Sequence, residues 1–122
     1  MNCTLTAEDR EIAAKAADLL EQGHCTGTFA RNELSDACDP LGPSAVSWCF
    51  RGALMRADMD VSPLRVSEER LDRISRAARQ ELHHRRERWS SMIAFSDSDD
   101  NAQSECVAIL RKIAAAPEHV ND

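Results

Sequence analysis

The chain of 122 residues carries 15 Lys plus Arg against 21 Asp plus Glu, for a formal net charge of −6. A length of ~120 residues suits one domain with one modest core, and excludes a large multidomain enzyme. The acidic balance repels polyanions and disfavours a general nucleic-acid binder, and no stretch approaches the ~20 apolar residues of a transmembrane helix.

One helical domain is expected over 1–122, with mobile ends at 1–5 and 117–122. Met1 to Arg10 has neither a positive leader segment nor an apolar one, so the expected location is cytoplasmic. Thr6, followed three residues later by Asp9, resembles a capping box and opens a first helix that closes at Gly23, a residue suited to a helix C-terminus. Leu5, Ile12, Ala16, Leu19 and Leu20 share one side of it. From His24 to Pro43 the periodicity is lost, and Gly27, Asn32, Asp36, Asp39, Pro40 and Gly42 supply turn chemistry. A connection of about 20 residues is long for a compact domain and points to a packed or functional loop. Phe29 and Leu41 are its expected anchors.

The pattern places a second helix from Ser44, as N-cap, to about Asp58, and its wheel is apolar nearly all round, with Trp48 opposite Val46 and Cys49. Arg56 interrupts the apolar side, so its head group must reach water or a partner. Gly52 costs about 1 kcal/mol relative to Ala in a helix interior, which predicts close approach by another backbone. Ser67 caps a third helix extending to about Trp89, with Leu71, Ile74, Ala78, Leu82 and Trp89 on one face and acid-before-base pairs at Glu69 and Arg73, Asp72 and Arg76, and Glu81 and Arg85. A final helix runs from about Asn101 to Ala116, with Asp100 and Gln103 as a capping box and Cys106, Ile109, Leu110 and Ile113 on its face. No strand is convincing, and the predicted fold is all-α, with about four main helices and a long loop between the first two.

Candidate chemistry is sparse. The cysteines Cys3, Cys25, Cys38, Cys49 and Cys106 form no zinc-ligand spacing and read as small apolar fillers. The segment from Arg65 to Arg88 holds eight Arg against five acids. Arg76, Arg79 and Arg86 gather with His83 on its solvent side, where Glu68, Glu69, Asp72 and Glu87 dilute them into a solvated mixed-charge face, with a protein or self-association surface and phosphate contact as the alternatives. His83, His84 and Glu87 give a carboxylate and imidazoles but no third ligand type nearby. Asp97 to Asn101 matches the start of a calcium loop, but Ala102 and Ala108 stand where the glycine and the bidentate glutamate belong. No catalytic motif, metal site or cofactor-binding loop is expected.

The run Ala45-Val46-Ser47-Trp48-Cys49-Phe50-Arg51-Gly52-Ala53-Leu54 resembles the A-x-x-W-C-x-x-G-A-L helix of a family of small bacterial and phage proteins known only as a domain of unknown function. Thr28-Phe29-Ala30-Arg31 resembles the loop before that helix. Phe95-Ser96-Asp97 stands where the family carries W-N-D, with the aspartate alone kept. The resemblance implies a small helical fold and no assigned activity. Trp48, Gly52, Arg76, Arg79, Arg86 and Asp97 are the candidate interaction residues. The leading expectation is a non-enzymatic cytoplasmic interaction or accessory protein, acting on an unknown protein partner or on itself. The alternatives are a nucleic-acid-associated regulator using the Arg-rich third helix, and a small ligand-binding domain or enzyme with a pocket beneath the His24 to Pro43 loop.

Overall fold

Thr6 has extended backbone, and its hydroxyl accepts from the Asp9 N–H at 3.0 Å while the Asp9 carboxylate accepts from the Thr6 N–H at 3.1 Å. This reciprocal cap satisfies two amide donors and starts helix α1, Ala7–Gln22. The computed structural model describes residues 5–62, 67–84, 92 and 102–115, and these hold four helices and one two-stranded antiparallel sheet. The other helices are α2, Phe50–Val61, α3, Glu68–His84, and α4, Ala102–Ala115. The strands are β1, Ala30–Arg31, and β2, Ser47–Trp48, with Ala30 opposite Trp48 and Arg31 opposite Ser47.

The all-α expectation holds for the body of the fold, because each helix buries one stripe. Ile12, Ala13, Ala16, Ala17 and Leu20 of α1 are buried against α2 and α4, its two most extensive neighbours. Three alanines in that stripe let the helices approach closely. Leu71, Ile74, Ala78 and Leu82 of α3 are buried as the wheel predicts, and so are Cys106, Ile109, Leu110 and Ile113 of α4. Each buried Leu or Ile stabilises the fold by about 2 kcal/mol. Gln103 is turned to a neighbour: its side-chain amide donates to the Leu20 carbonyl at 2.7 Å, at the end of α1. The expected turn of α3 to Trp89, the Asp100 cap, Cys3, the Asp97 to Asn101 run and the ends 1–4 and 116–122 lie outside the described residues, as do the side chains of His83 and His84.

One local expectation is corrected. The second helix begins at Phe50, not Ser44, and its N-cap is Cys49, whose thiol accepts from the Gly52 N–H at 3.4 Å. The backbone of 46–49 is claimed by tertiary pairing instead. Val46 N–H donates to the Arg31 carbonyl at 2.9 Å, Trp48 N–H to Gly23 at 3.1 Å, and Cys49 N–H to Phe29 at 3.1 Å, while the Trp48 carbonyl accepts from Cys25 N–H at 3.0 Å. β-Branched Val46 and aromatic Trp48 suit that extended role. Once the helix starts at Phe50, its buried residues Phe50, Ala53, Leu54 and Ala57 form a single stripe, and the apolar-all-round wheel disappears.

Gly23 ends α1 as its C-cap, as the sequence predicts. Its backbone is extended there, φ −173°, and not in the left-handed form that usually selects glycine. Its reason is space: a Cβ there would sit 2.4 Å from the Val46 carbonyl oxygen. Gly52 follows its sequence-based expectation, since a Cβ would lie 2.0 Å from the Phe29 carbonyl oxygen. The α1 terminus and the α2 entry therefore hold the loop between them by direct backbone contact.

Candidate interaction surface

The segment from Gly23 to Trp48 is a built layer. Besides the β1–β2 pair, His24 bridges to Trp48 in parallel and Arg31 bridges to Ala37 in antiparallel fashion. Cys38 N–H donates to the Ala30 carbonyl at 3.0 Å, which closes a short hairpin over 30–38. Its tip is set by Asn32. The Asn32 side-chain oxygen accepts from Leu34 N–H at 2.9 Å and from Asp36 N–H at 3.1 Å, and Ser35 N–H donates to the Asn32 carbonyl at 2.9 Å. Ser35 adopts φ +67°, a conformation uncommon for residues other than glycine. The Arg31 guanidinium lies across the hairpin and donates to the Ser35 and Thr26 carbonyls, each at 2.9 Å.

The return strand is pinned from below. The Trp48 indole N–H donates to the Pro40 carbonyl at 3.2 Å, and Arg56 donates to the Pro40 and Gly42 carbonyls at 3.4 and 3.0 Å. Arg56 thus reaches backbone acceptors, which resolves its place on the helix. Phe29 anchors the loop through its carbonyl and not through its ring: the carbonyl meets Gly52 and accepts from Cys49, while the side chain is 44% exposed.

On this braced layer three large apolar side chains remain in solvent: Leu34 at 80%, Phe29 at 44% and Val46 at 42% exposure. Leu34 and Val46, with Asn32, Glu33, Pro43 and Ser44, line an open cleft of about 280 Å³. Every lining residue belongs to the loop itself, so this cleft lies within the loop layer and not between the loop and the helices. Glu33, which lines it, and Asp36 and Asp39 of the same loop are exposed.

The candidates read from sequence fall in three places. Trp48, 3% exposed, and Gly52 are buried under the loop, where they position it. Arg76 and Arg79 are exposed on α3. Arg86 and Asp97 lie outside the described residues. Two arginines of the basic stretch turn inward instead: Arg70 donates to Asp58 at 2.8 and 3.0 Å, and Arg73 to Asp9 at 2.9 and 3.1 Å, both carboxylates being fully buried. Sequence reasoning passed over Leu34 and Val46. A lone Leu inside the turn cluster Asn32-Glu33-Leu34-Ser35-Asp36 was the available signal, since turn residues of that kind seldom bury a neighbour.

Among the described residues no group of three His, Cys, Asp or Glu side chains could hold a metal ion, and no helix is long and apolar enough to cross a membrane. Cys25, Cys38, Cys49 and Cys106 are free thiols, and all but Cys38 are buried. Near the C-terminal end of α1, Arg111 of α4 pairs with Asp18 at 2.7 Å and with Glu21, and these hydrogen bonds, that to Asp18 foremost, raise the guanidinium pKa above its ordinary value.

No curated protein and no solved structure matches the chain. A family of unknown function, DUF6197, matches residues 4–116, which takes in all four helices and the loop layer, and the chain belongs to that family.

Proposed function

We propose that this protein is a non-enzymatic interaction or accessory protein of the cytoplasm, whose partner-binding surface is the cleft at the hairpin tip. The observation that carries this reading is Leu34: a large aliphatic side chain, 80% exposed, at the apex of a turn that four side-chain hydrogen bonds hold in one shape. An apolar side chain held in solvent on rigid backbone costs little ordering entropy when a partner covers it. Trp48 and Gly52 serve the surface from beneath, as positioning residues. A cleft of about 280 Å³ falls just below the ~300–1,000 Å³ of small-molecule sites and is open to solvent, which favours a partner's side chain over a buried substrate. The burial of Cys25, Cys49 and Cys106 as packing residues supports a reducing compartment.

The test is affinity capture from the source cells with the wild-type chain and Leu34→Asp side by side. A protein retained by the wild type and lost with the variant is expected. Equal retention by both chains, or turnover of a defined substrate abolished by a single substitution elsewhere, overturns the reading.

A further inference from the structure

The cleft is lined by a carboxylate, Glu33, that meets no cation among the described residues. Elsewhere several acidic side chains meet cations of the same chain: Asp9 meets Arg73, Asp58 meets Arg70, Glu68 and Asp72 meet Arg51, Asp18 and Glu21 meet Arg111, and Glu81 meets Lys112. Glu11 and Glu69 on the helices meet none among the described residues, and neither do the carboxylates of the hairpin tip, Glu33 and, two residues after Leu34, Asp36. The one cation of the hairpin, Arg31, donates to the Ser35 and Thr26 carbonyls and forms no ion pair with either carboxylate, so two acids stand against one base there. The field at the mouth is therefore negative, on a chain whose net charge is already −6.

Resting on the reading of this cleft as a partner-binding surface, we infer that its occupant is a basic segment of a protein partner, with one aliphatic side chain seated between Leu34, Pro43 and Val46 and a Lys or Arg beside it facing Glu33. The apolar walls select the aliphatic side chain by burial, and the carboxylates select the neighbouring cation by charge complementarity. Nucleic acid and anionic lipid are repelled by the same field. The contact is small, so the single segment binds weakly and its association is salt-sensitive.

The test pans a phage-displayed library of random 12-residue peptides on the full chain, with Leu34→Asp as the counter-selection target. The enriched peptides are then made and titrated by fluorescence anisotropy at low and high salt. Expected peptides carry an aliphatic residue within two positions of Lys or Arg. Their affinity falls about tenfold with Leu34→Asp and severalfold with Glu33→Lys or with added salt. A double variant, Glu33→Lys with Asp36→Lys, reverses the preference toward peptides in which Glu replaces the basic residue. All these positions are exposed, so unchanged circular dichroism and thermal midpoints certify the variants.

Leu34-dependent peptides that are neutral or acidic, with no response to Glu33→Lys, overturn the charge inference and leave the cleft as a binding surface. Absence of any Leu34-dependent peptide overturns both. A concentration-dependent dimer by sedimentation, lost with Leu34→Asp, assigns the cleft to a second copy of this chain and overturns a separate basic partner.

Discussion

At the scale of single residues, two glycines and a cysteine decide where the chain can pass. Gly52 sits inside a helix, where Ala is favoured by about 1 kcal/mol. The Phe29 carbonyl oxygen lies 2.0 Å from the place of its missing Cβ, and that carbonyl is itself tied to the Cys49 N–H. Neither backbone has a flexible end that can turn aside, so overpacking of up to about 3 kcal/mol outweighs the propensity gain. Gly52→Ala is expected to destabilise the protein by about 2 kcal/mol in urea-unfolding midpoints, whereas Gly42→Ala, whose Cβ would lie 3.4 Å from its nearest neighbour, shifts stability by less than about 0.5 kcal/mol. An unchanged midpoint for Gly52→Ala would refute the close approach. The need for glycine at 52 was legible in the sequence as an anomaly within a helix. The helix end at Gly23 was legible as well, while the reason for glycine there, the Val46 carbonyl of the crossing segment, comes only from the fold.

At the scale of elements, α3 shows how charge that reads as solvated surface becomes tertiary structure. The sequence pairs its acids and bases along the helix at i,i+4. In the fold, Arg73 reaches Asp9 of α1, Arg70 reaches Asp58 of α2, Arg51 of α2 reaches Glu68 and Asp72, and Lys112 of α4 reaches Glu81. Asp58 also accepts from the Ser67 N–H at 2.7 Å, and the Ser67 hydroxyl accepts from the Arg70 N–H at 3.3 Å, so one buried carboxylate fixes both the start of α3 and its docking. Removing it leaves the Ser67 amide without its acceptor and the Arg70 guanidinium with only the half-exposed Glu8, 3.5 Å away. Asp58→Ala is expected to cost about 3 kcal/mol, the lower end for a broken buried pair because Arg70 keeps a fifth of its side chain in water. Hydrogen exchange should then show lost protection in α3 while α1 and α4 keep theirs. The exposed Arg111 cluster is the contrast: Arg111→Ala is expected to cost less than about 1 kcal/mol, because solvent screens a pair that is open on both sides. If the two variants cost the same in denaturant, burial is not what gives the Asp58 pair its weight.

At the scale of the whole molecule, the helices make the platform and the loop makes the surface. The loop contributes its own exposed apolar residues yet takes its shape from Gly23, Trp48 and Gly52, at or just outside the ends of helices, and from Arg56 in the middle of α2. Leu34→Asp is therefore expected to leave the thermal midpoint unchanged, since an 80% exposed side chain carries little packing, while removing partner capture. A fall of several degrees would mean that Leu34 belongs to the fold and not to its surface. Four helices, three of their four starts, and the buried stripes of α1, α3 and α4 were determined by the sequence by itself, because helical periodicity and capping are local and each stripe must find cover. Only the tertiary structure decided that Ser47 to Trp48 pairs as a strand before α2, that Arg70 and Arg73 of α3 hold buried carboxylates, and that Leu34 and Val46 stand open. The reason is physical: strand pairing, ion pairing across helices and exposure all depend on residues distant in the chain, and no local pattern of side chains encodes which backbone arrives beside them.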